Sequence, residues 1–311
     1  MVNCKEKAAS IKGPVFPILT AFDESGDVDF LSIEKYVEFL ISSGCKNLMV
    51  TVGTSRFNLL TEQEMLDVNS CVVHAAAGKA FTIVTTGPLG SERSAIKFAR
   101  HAEDIGADAI LGVYPERYYG DDAIAGFFEN ICKSTSVGVM VHMAQMNSGA
   151  ARFPATLPYS VDLLERLCEQ ENFVGMKEES NSPALIYEYN RRLKDKMTII
   201  GGAGGMRAYL TAWNWGQPAY LVGIGNFLPQ IEIDFYKHLC SGNIEAAKEI
   251  VFNYEGPFFS EAIKAGWHPA LKEALDYMGL MSACEREPLQ RLEGDARERV
   301  RSVISGEGYA V

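Results

Sequence analysis

At 311 residues, with 47% hydrophobic and 22% charged side chains, the chain has globular composition and apolar material for a large core, which excludes extended disorder. A single α/β barrel of about 250 residues with an appendage accommodates this length. The 29 Lys and Arg against 40 Asp and Glu leave a net charge of −11, which argues against nucleic acid and anionic membranes as partners, since both select basic patches.

The opening MVNCKEKAAS has no apolar leader core, and no apolar run approaches the roughly 18 residues of a membrane span, so a cytoplasmic protein is expected. Seven scattered cysteines (Cys4, Cys45, Cys71, Cys132, Cys168, Cys240 and Cys284) form no C-x-x-C pair and have no histidine at ligand spacing. They read as reduced packing thiols, and neither a metal nor an organic cofactor is expected.

The first apolar run is 13–20 (GPVFPILT), followed by 32–42 (SIEKYVEFLIS), where Ile33, Tyr36, Val37 and Leu40 recur at helical spacing. Run 46–53 (KNLMVTVG) precedes a helical pattern over 62–77, run 81–86 (FTIVTT) precedes one over 91–105, and run 109–114 (AILGVY) precedes one over 122–133. Four further runs follow: 138–142 (GVMVH), 173–177 (FVGMK), 197–201 (MTIIG) and 219–223 (AYLVG). Continuous apolar runs rather than alternating ones are the mark of parallel strands buried on both faces. Eight of them, separated by amphipathic helices, predict a (β/α)8 TIM barrel over residues 1–230. Helical patterns at 231–241, 243–258, 268–278 and 296–304 exceed what eight units need and predict a C-terminal helical extension over 231–311.

In such a barrel the chemistry gathers at the C-terminal ends of strands. The sixth run ends in Lys177, and a lysine facing the barrel mouth is partly desolvated. Desolvation disfavours a charged amine, and only the neutral amine attacks a ketone. The bland reading is a lysine that leaves the strand for solvent, paired with Glu178 or Glu179. The fifth run ends in His142, the one histidine of five that closes a strand and a natural proton carrier near neutral pH. The second ends Gly53-Thr54-Ser55-Arg56, where hydroxyls and backbone N–H groups at a strand end suit a carboxylate and proton transfer; solvated turn residues are the plain alternative. The glycines of 201–205 (GGAGG), Gly202 among them, precede a helix and suit either a phosphate or the close approach of a ligand.

In order and spacing these features resemble the dihydrodipicolinate synthase and N-acetylneuraminate lyase family, barrels of the class I aldolase type, over nearly the whole chain. Leu19-Thr20-Ala21-Phe22 with Gly26-Asp27-Val28-Asp29 is similar to the family's T-P-F…G-x-V-D opening, and Gly53-Thr54-Ser55 with Leu60-Thr61-Glu62 to G-T-T-G-E…L-T-x-E. Gly106-Ala107-Asp108-Ala109 with Tyr114-Pro115 resembles G-A-D-A…T-P, and Val174-Gly175-Met176-Lys177-Glu178 resembles the Schiff-base segment G-[I/M]-K-E. His268-Pro269, Lys272, Leu275, Gly279 and Arg286-Glu287-Pro288-Leu289 resemble the family's closing segment.

The resemblance implies a homotetrameric lyase in which Lys177 forms an imine with pyruvate or another small 2-keto acid, Thr54 relays protons, Ser55 holds the keto acid's carboxylate, and Leu221 lines the site through its carbonyl. Departures accompany it. The family's strand-five tyrosine is His142 here, in His142-Met143-Ala144-Gln145, which exchanges a phenol near pKa 10 for a base near 6.5. Arg56 stands where G-E is expected, and Tyr118 or Tyr119 is the nearest substitute for a relay tyrosine lent across subunits. The arginine that binds the second substrate of dihydrodipicolinate synthases is Asn147, leaving Arg56 or Arg152 to meet a second carboxylate. An aldolase or dehydratase acting on pyruvate or a 2-keto-3-deoxy sugar acid follows. The alternatives are a degraded barrel that binds such acids without turnover, and a phosphosugar enzyme built on the 201–205 loop.

Overall fold

Each of the eight apolar runs is a strand: β1 (Gly13–Pro17), β2 (Asn47–Met49), β3 (Phe81–Thr85), β4 (Ala109–Val113), β5 (Gly138–His142), β6 (Phe173–Glu178), β7 (Thr198–Gly201) and β8 (Ala219–Leu221). They close a parallel barrel in sequence order, β8 returning to β1, with helices between the strands and more helices after β8. The structure is a computed structural model, and it describes residues 3–87, 90–115, 117–143, 146–147, 156–157, 159–202, 205–306 and 309.

Strands β1, β4, β5 and β6 are buried at every position, which is why their sequences do not alternate. The two strands that stop furthest short of their apolar runs do so for identifiable reasons. After β2 the backbone enters the left-handed region at Thr51 (φ 52°), turning the chain out of the sheet. At the end of β1, Pro17 contributes no N–H, and Ile18 makes the last bond across, to the Met49 carbonyl at 2.8 Å.

Helix starts follow their capping residues. Asp29 caps Phe30–Ser42, Ser91 caps Glu92–Asp104, and Thr61 with Glu64 forms a reciprocal capping box on Glu62–Ala76. The helix expected over 243–258 is broken differently. Ile244–Ile250 passes through a π-helical turn, Val251–Glu255, before continuing as Gly256–Ala265. Pro257 explains this, because it lacks a donor and its ring would clash with the carbonyl one α-turn back, so the wider turn absorbs it.

Two compact units share the chain. One carries Gly13–Val15 and strands β3 to β8. Phe128 anchors its aromatic packing, edge to face with Tyr159 and with Phe173, ring centroids 6.4 Å apart in both pairs. The other holds β2 and the C-terminal helices. There, buried Tyr36 donates to the Asn226 carbonyl (2.9 Å) while the Asn226 amide donates to the Pro17 carbonyl (2.6 Å), tying a helix and a turn to the end of β1.

Candidate active site

Side chains on a strand alternate between faces, so Lys177 shares a face with Gly175 while Glu178 points the other way. Glu178 is buried, and its carboxylate receives the Ser180 N–H at 2.6 Å; burial raises its pKa. Lys177 is only 3% exposed, and it does not leave the strand for solvent.

His142 lies in register with Lys177 because of a slip in the ladder. Val139 pairs with Phe173, but Met140 pairs with Gly175, so Val174 is passed over. Without that shift the histidine would oppose Met176, on the wrong face. A bulge of this kind re-aims a side chain at low cost to the sheet.

The result is a cluster of three, with Lys177 and His142 buried and Glu179 half-buried at its mouth. Lys177 Nζ is 3.0 Å from His142 Nε2, His142 Nε2 is 2.9 Å from Glu179 Oε2, and the other Glu179 oxygen accepts from Lys177 Nζ. Burial would raise the Glu179 carboxyl, but the Lys177 ammonium and the His142 ring outweigh it and hold it at about 2. Burial, followed by the charge of Lys177, pushes His142 below its ordinary value against the pull of Glu179. Gly202 makes room for this carboxylate: a Cβ there would sit 2.6 Å from Glu179 Cγ. Sequence reading reached Lys177 and His142 but treated Glu179 only as a solvent partner. The overlooked signal was period two, which puts 177 and 179 on one face.

In the other unit, Gly53–Ser55 forms a short 3-10 turn, with Gly53 and Thr54 half-buried and Ser55 fully buried. The Ser55 N–H donates to the Val52 carbonyl (2.9 Å), and its hydroxyl accepts the Val52 N–H (3.2 Å). These groups brace their own turn, which commits the Ser55 N–H to Val52 and leaves the hydroxyl as the group that can still donate to a carboxylate. For Arg56 the expectation is corrected. Its guanidinium, 1% exposed, meets the Glu285 carboxylate (Nε to Oε2, 3.1 Å) and the His268 and Thr54 carbonyls. A substrate carboxylate would have to displace Glu285.

Leu221 is buried and ends β8 opposite Val15. Asn147 falls in a two-residue strand, Met146–Asn147, that pairs antiparallel with Thr156–Leu157; its side chain, and all of Ala144, Gln145 and Arg152, lie outside the described residues. Tyr118 and Tyr119 are both exposed, with the Tyr118 hydroxyl on Asp121 at 3.0 Å.

The phosphate reading of the 201–205 loop fails on one contact. Glu255, presented by the π turn, accepts the N–H groups of Met206 (2.6 Å) and Arg207 (2.9 Å), so the amides that would cradle a phosphate already have side-chain acceptors. Among the described residues no group of three or more His, Cys, Asp or Glu is disposed to hold a metal, and no helix is long and apolar enough to cross a membrane.

A closed parallel barrel with a buried lysine at one strand end, contacting a histidine and a carboxylate, has the architecture of a barrel enzyme, whose chemistry gathers at the C-terminal ends of its strands. Residues 10–307 match the Dihydrodipicolinate synthetase family, and the chain belongs to it. Similar relatives include a probable 5-dehydro-4-deoxyglucarate dehydratase of Pseudomonas fluorescens (strain Pf0-1), 28% identical over 299 residues and covering 94% of each chain. A second, from Pseudomonas entomophila (strain L48), is also 28% identical, covering 94% of this chain and 93% of that one. Similar solved structures include dihydrodipicolinate synthase from Oceanobacillus iheyensis (TM-score 0.85, 20% identity, covering 97% of this chain and 98% of that one). N-acetylneuraminate lyase from Fusobacterium nucleatum matches with TM-score 0.84 at 17% identity, covering 94% and 97%.

Proposed function

We propose that this lyase forms a Schiff base between Lys177 and the ketone of pyruvate or a 2-keto-3-deoxy sugar acid. The observation that carries this is Lys177 itself, buried at the end of β6 with its Nζ 3.0 Å from His142 Nε2. Attack by the neutral amine on C2, then loss of water, gives an iminium that draws electrons from C3. Loss of a C3 proton yields an enamine, which expels a hydroxyl from C4 or adds to an aldehyde. The relatives named 5-dehydro-4-deoxyglucarate dehydratase support expulsion of water from a sugar acid as the reaction. His142 and Thr54 carry protons, and Gly53, Leu221, Asn147 and the Ser55 hydroxyl are substrate contacts; Arg56 is not, because it is already paired with Glu285. No cofactor enters this chemistry. The working form is a cytoplasmic homotetramer that takes a small keto acid and neither nucleic acid nor membrane, and light scattering should read four times 34.2 kDa.

Borohydride added with pyruvate should fix a reduced adduct on the peptide containing Lys177, read by mass, and Lys177→Met should abolish it. Absence of an adduct with every small keto acid would sink the reading. An adduct without turnover across a panel of 2-keto-3-deoxy sugar acids would instead identify a binding barrel.

A further inference from the structure

The three contacts among Lys177, His142 and Glu179 place a constraint on where a proton can be. Nε2 faces Nζ at 3.0 Å and a carboxylate oxygen at 2.9 Å. Two hydrogen-bond acceptors cannot face each other at that distance without a proton between them, so the contact to Glu179 requires Nε2–H. Nζ then donates to the other carboxylate oxygen and turns a lone pair toward the ring. If the proton sits on Nζ instead, the ammonium donates to both partners and the contact between Nε2 and Glu179 loses its hydrogen. Nδ1, the other ring nitrogen, is buried and meets no hydrogen-bond partner among the described residues, so nothing locks the tautomer from that side.

We propose that Glu179 is a third catalytic residue, the shared counter-ion that lets one proton pass between Lys177 and His142 and then pairs with the iminium. This rests on the Schiff-base reading. One proton of the Lys177 ammonium moves to Nε2, leaving Nζ neutral and imidazolium against Glu179. Nζ bonds to C2 as the C2–O π bond breaks; the proton shed by the new ammonium reaches the alkoxide, giving a carbinolamine. His142 returns its proton to that hydroxyl, which departs as water while the C=N bond forms. Two hydrogens leave Nζ and both end in water, and the positive charge stays beside Glu179 throughout.

Among the described residues of the neighbouring strands, little else titrates. β4 ends in Val113, in register with His142, and β7 brings Ile200 and Gly201 alongside Lys177 and Glu178. Tyr114 follows Val113, its phenol raised by burial and then by Tyr119 and Tyr118, while Glu178 is turned to Ser180. Gly202, where a Cβ would collide with Glu179, keeps the carboxylate close.

The test is the pH dependence of borohydride trapping with pyruvate as the probe, from pH 5 to 9. Activity needs the His142 ring free to take the proton from Lys177, so the profile has an acid limb where that ring is already protonated. Glu179 pulls the His142 ring upward, and a single opposite charge at this range is worth about 1–3 pH units. Glu179→Gln should therefore move the acid limb to lower pH by one unit or more, while Glu179→Asp restores it toward wild type. An acid limb that stays in place in Glu179→Gln overturns the proposal even if the rate falls, because a merely structural role would lower rate without moving it. Should circular dichroism show that Glu179→Gln is unfolded, Gly202→Ala, which displaces the carboxylate without removing it, must shift the limb in the same direction or the proposal fails. A wild-type protein that traps no keto acid on Lys177 refutes the Schiff-base reading itself, an outcome visible before any variant is made.

Discussion

Arg56 follows two hydroxyls at a strand end, which gives it the sequence setting of a carboxylate site, yet the fold takes it inward to Glu285. Both partners are almost wholly buried, at 1% and 0% side-chain exposure. Removing one charge would leave the other stranded, so Glu285→Gln should cost about 3–5 kcal/mol in urea denaturation. A loss below about 1 kcal/mol, the worth of an exposed pair, would contradict this account. Glu285 is 229 residues from Arg56, and no local pattern announces such a partner. The ends of apolar runs marked Lys177 and His142 as candidates, but their contact depends on the ladder slip at Val139 and Met140, which no local pattern announces. Glu179 was legible in principle through strand alternation, but a second carboxylate beside a lysine reads first as a solvated pair.

The start of the helix Gly205–Trp213 depends on a distant segment. Gly205 adopts φ +80°, and a Cβ there would lie 1.9 Å from Glu255 Oε1. Alanine would incur the left-handed backbone strain, of order 1–2 kcal/mol, and would also push the carboxylate off the Met206 and Arg207 amides. Gly205→Ala should therefore lower the urea midpoint by more than that strain alone predicts, whereas Gly202→Ala, with no such backbone demand, should leave global stability much closer to wild type. Helix existence was read from apolar periodicity, and the starts then fall on Asp29, Ser91 and the Thr61–Glu64 box, caps that act within four residues. The π turn could not be read this way. Pro257 signals a disturbance, but whether a helix stops, kinks or widens depends on what it packs against, and here the wider turn delivers Glu255 to another helix.

At the scale of the whole molecule the barrel was legible because burial on both faces leaves its mark on every strand, whereas the balance of its buried charges was not. Two buried groups make stability depend on pH in opposite senses. Burial raises Glu255 from 4.5 to about 7 against the pull of the Arg207 and Met206 amides, so between those values the folded state holds a proton that the unfolded chain has lost. Its contribution falls as pH rises through that window. Burial, then the charge of Arg56, lowers His268 from 6.5 to about 4, so between those values the unfolded chain holds the extra proton and stability rises with pH. The two slopes largely cancel in the wild type from about pH 4.5 to 6.5, and only a difference measurement separates them. Glutamine mimics the protonated carboxyl, so Glu255→Gln should remove the falling component alone. The stability advantage of wild type over Glu255→Gln should then be greatest near pH 4.5 and shrink by on the order of 3 kcal/mol by pH 8. Urea unfolding of both proteins at matched pH reads this directly, and curves that run parallel from pH 4.5 to 8 would show that the carboxylate on the Met206 and Arg207 amides is charged throughout.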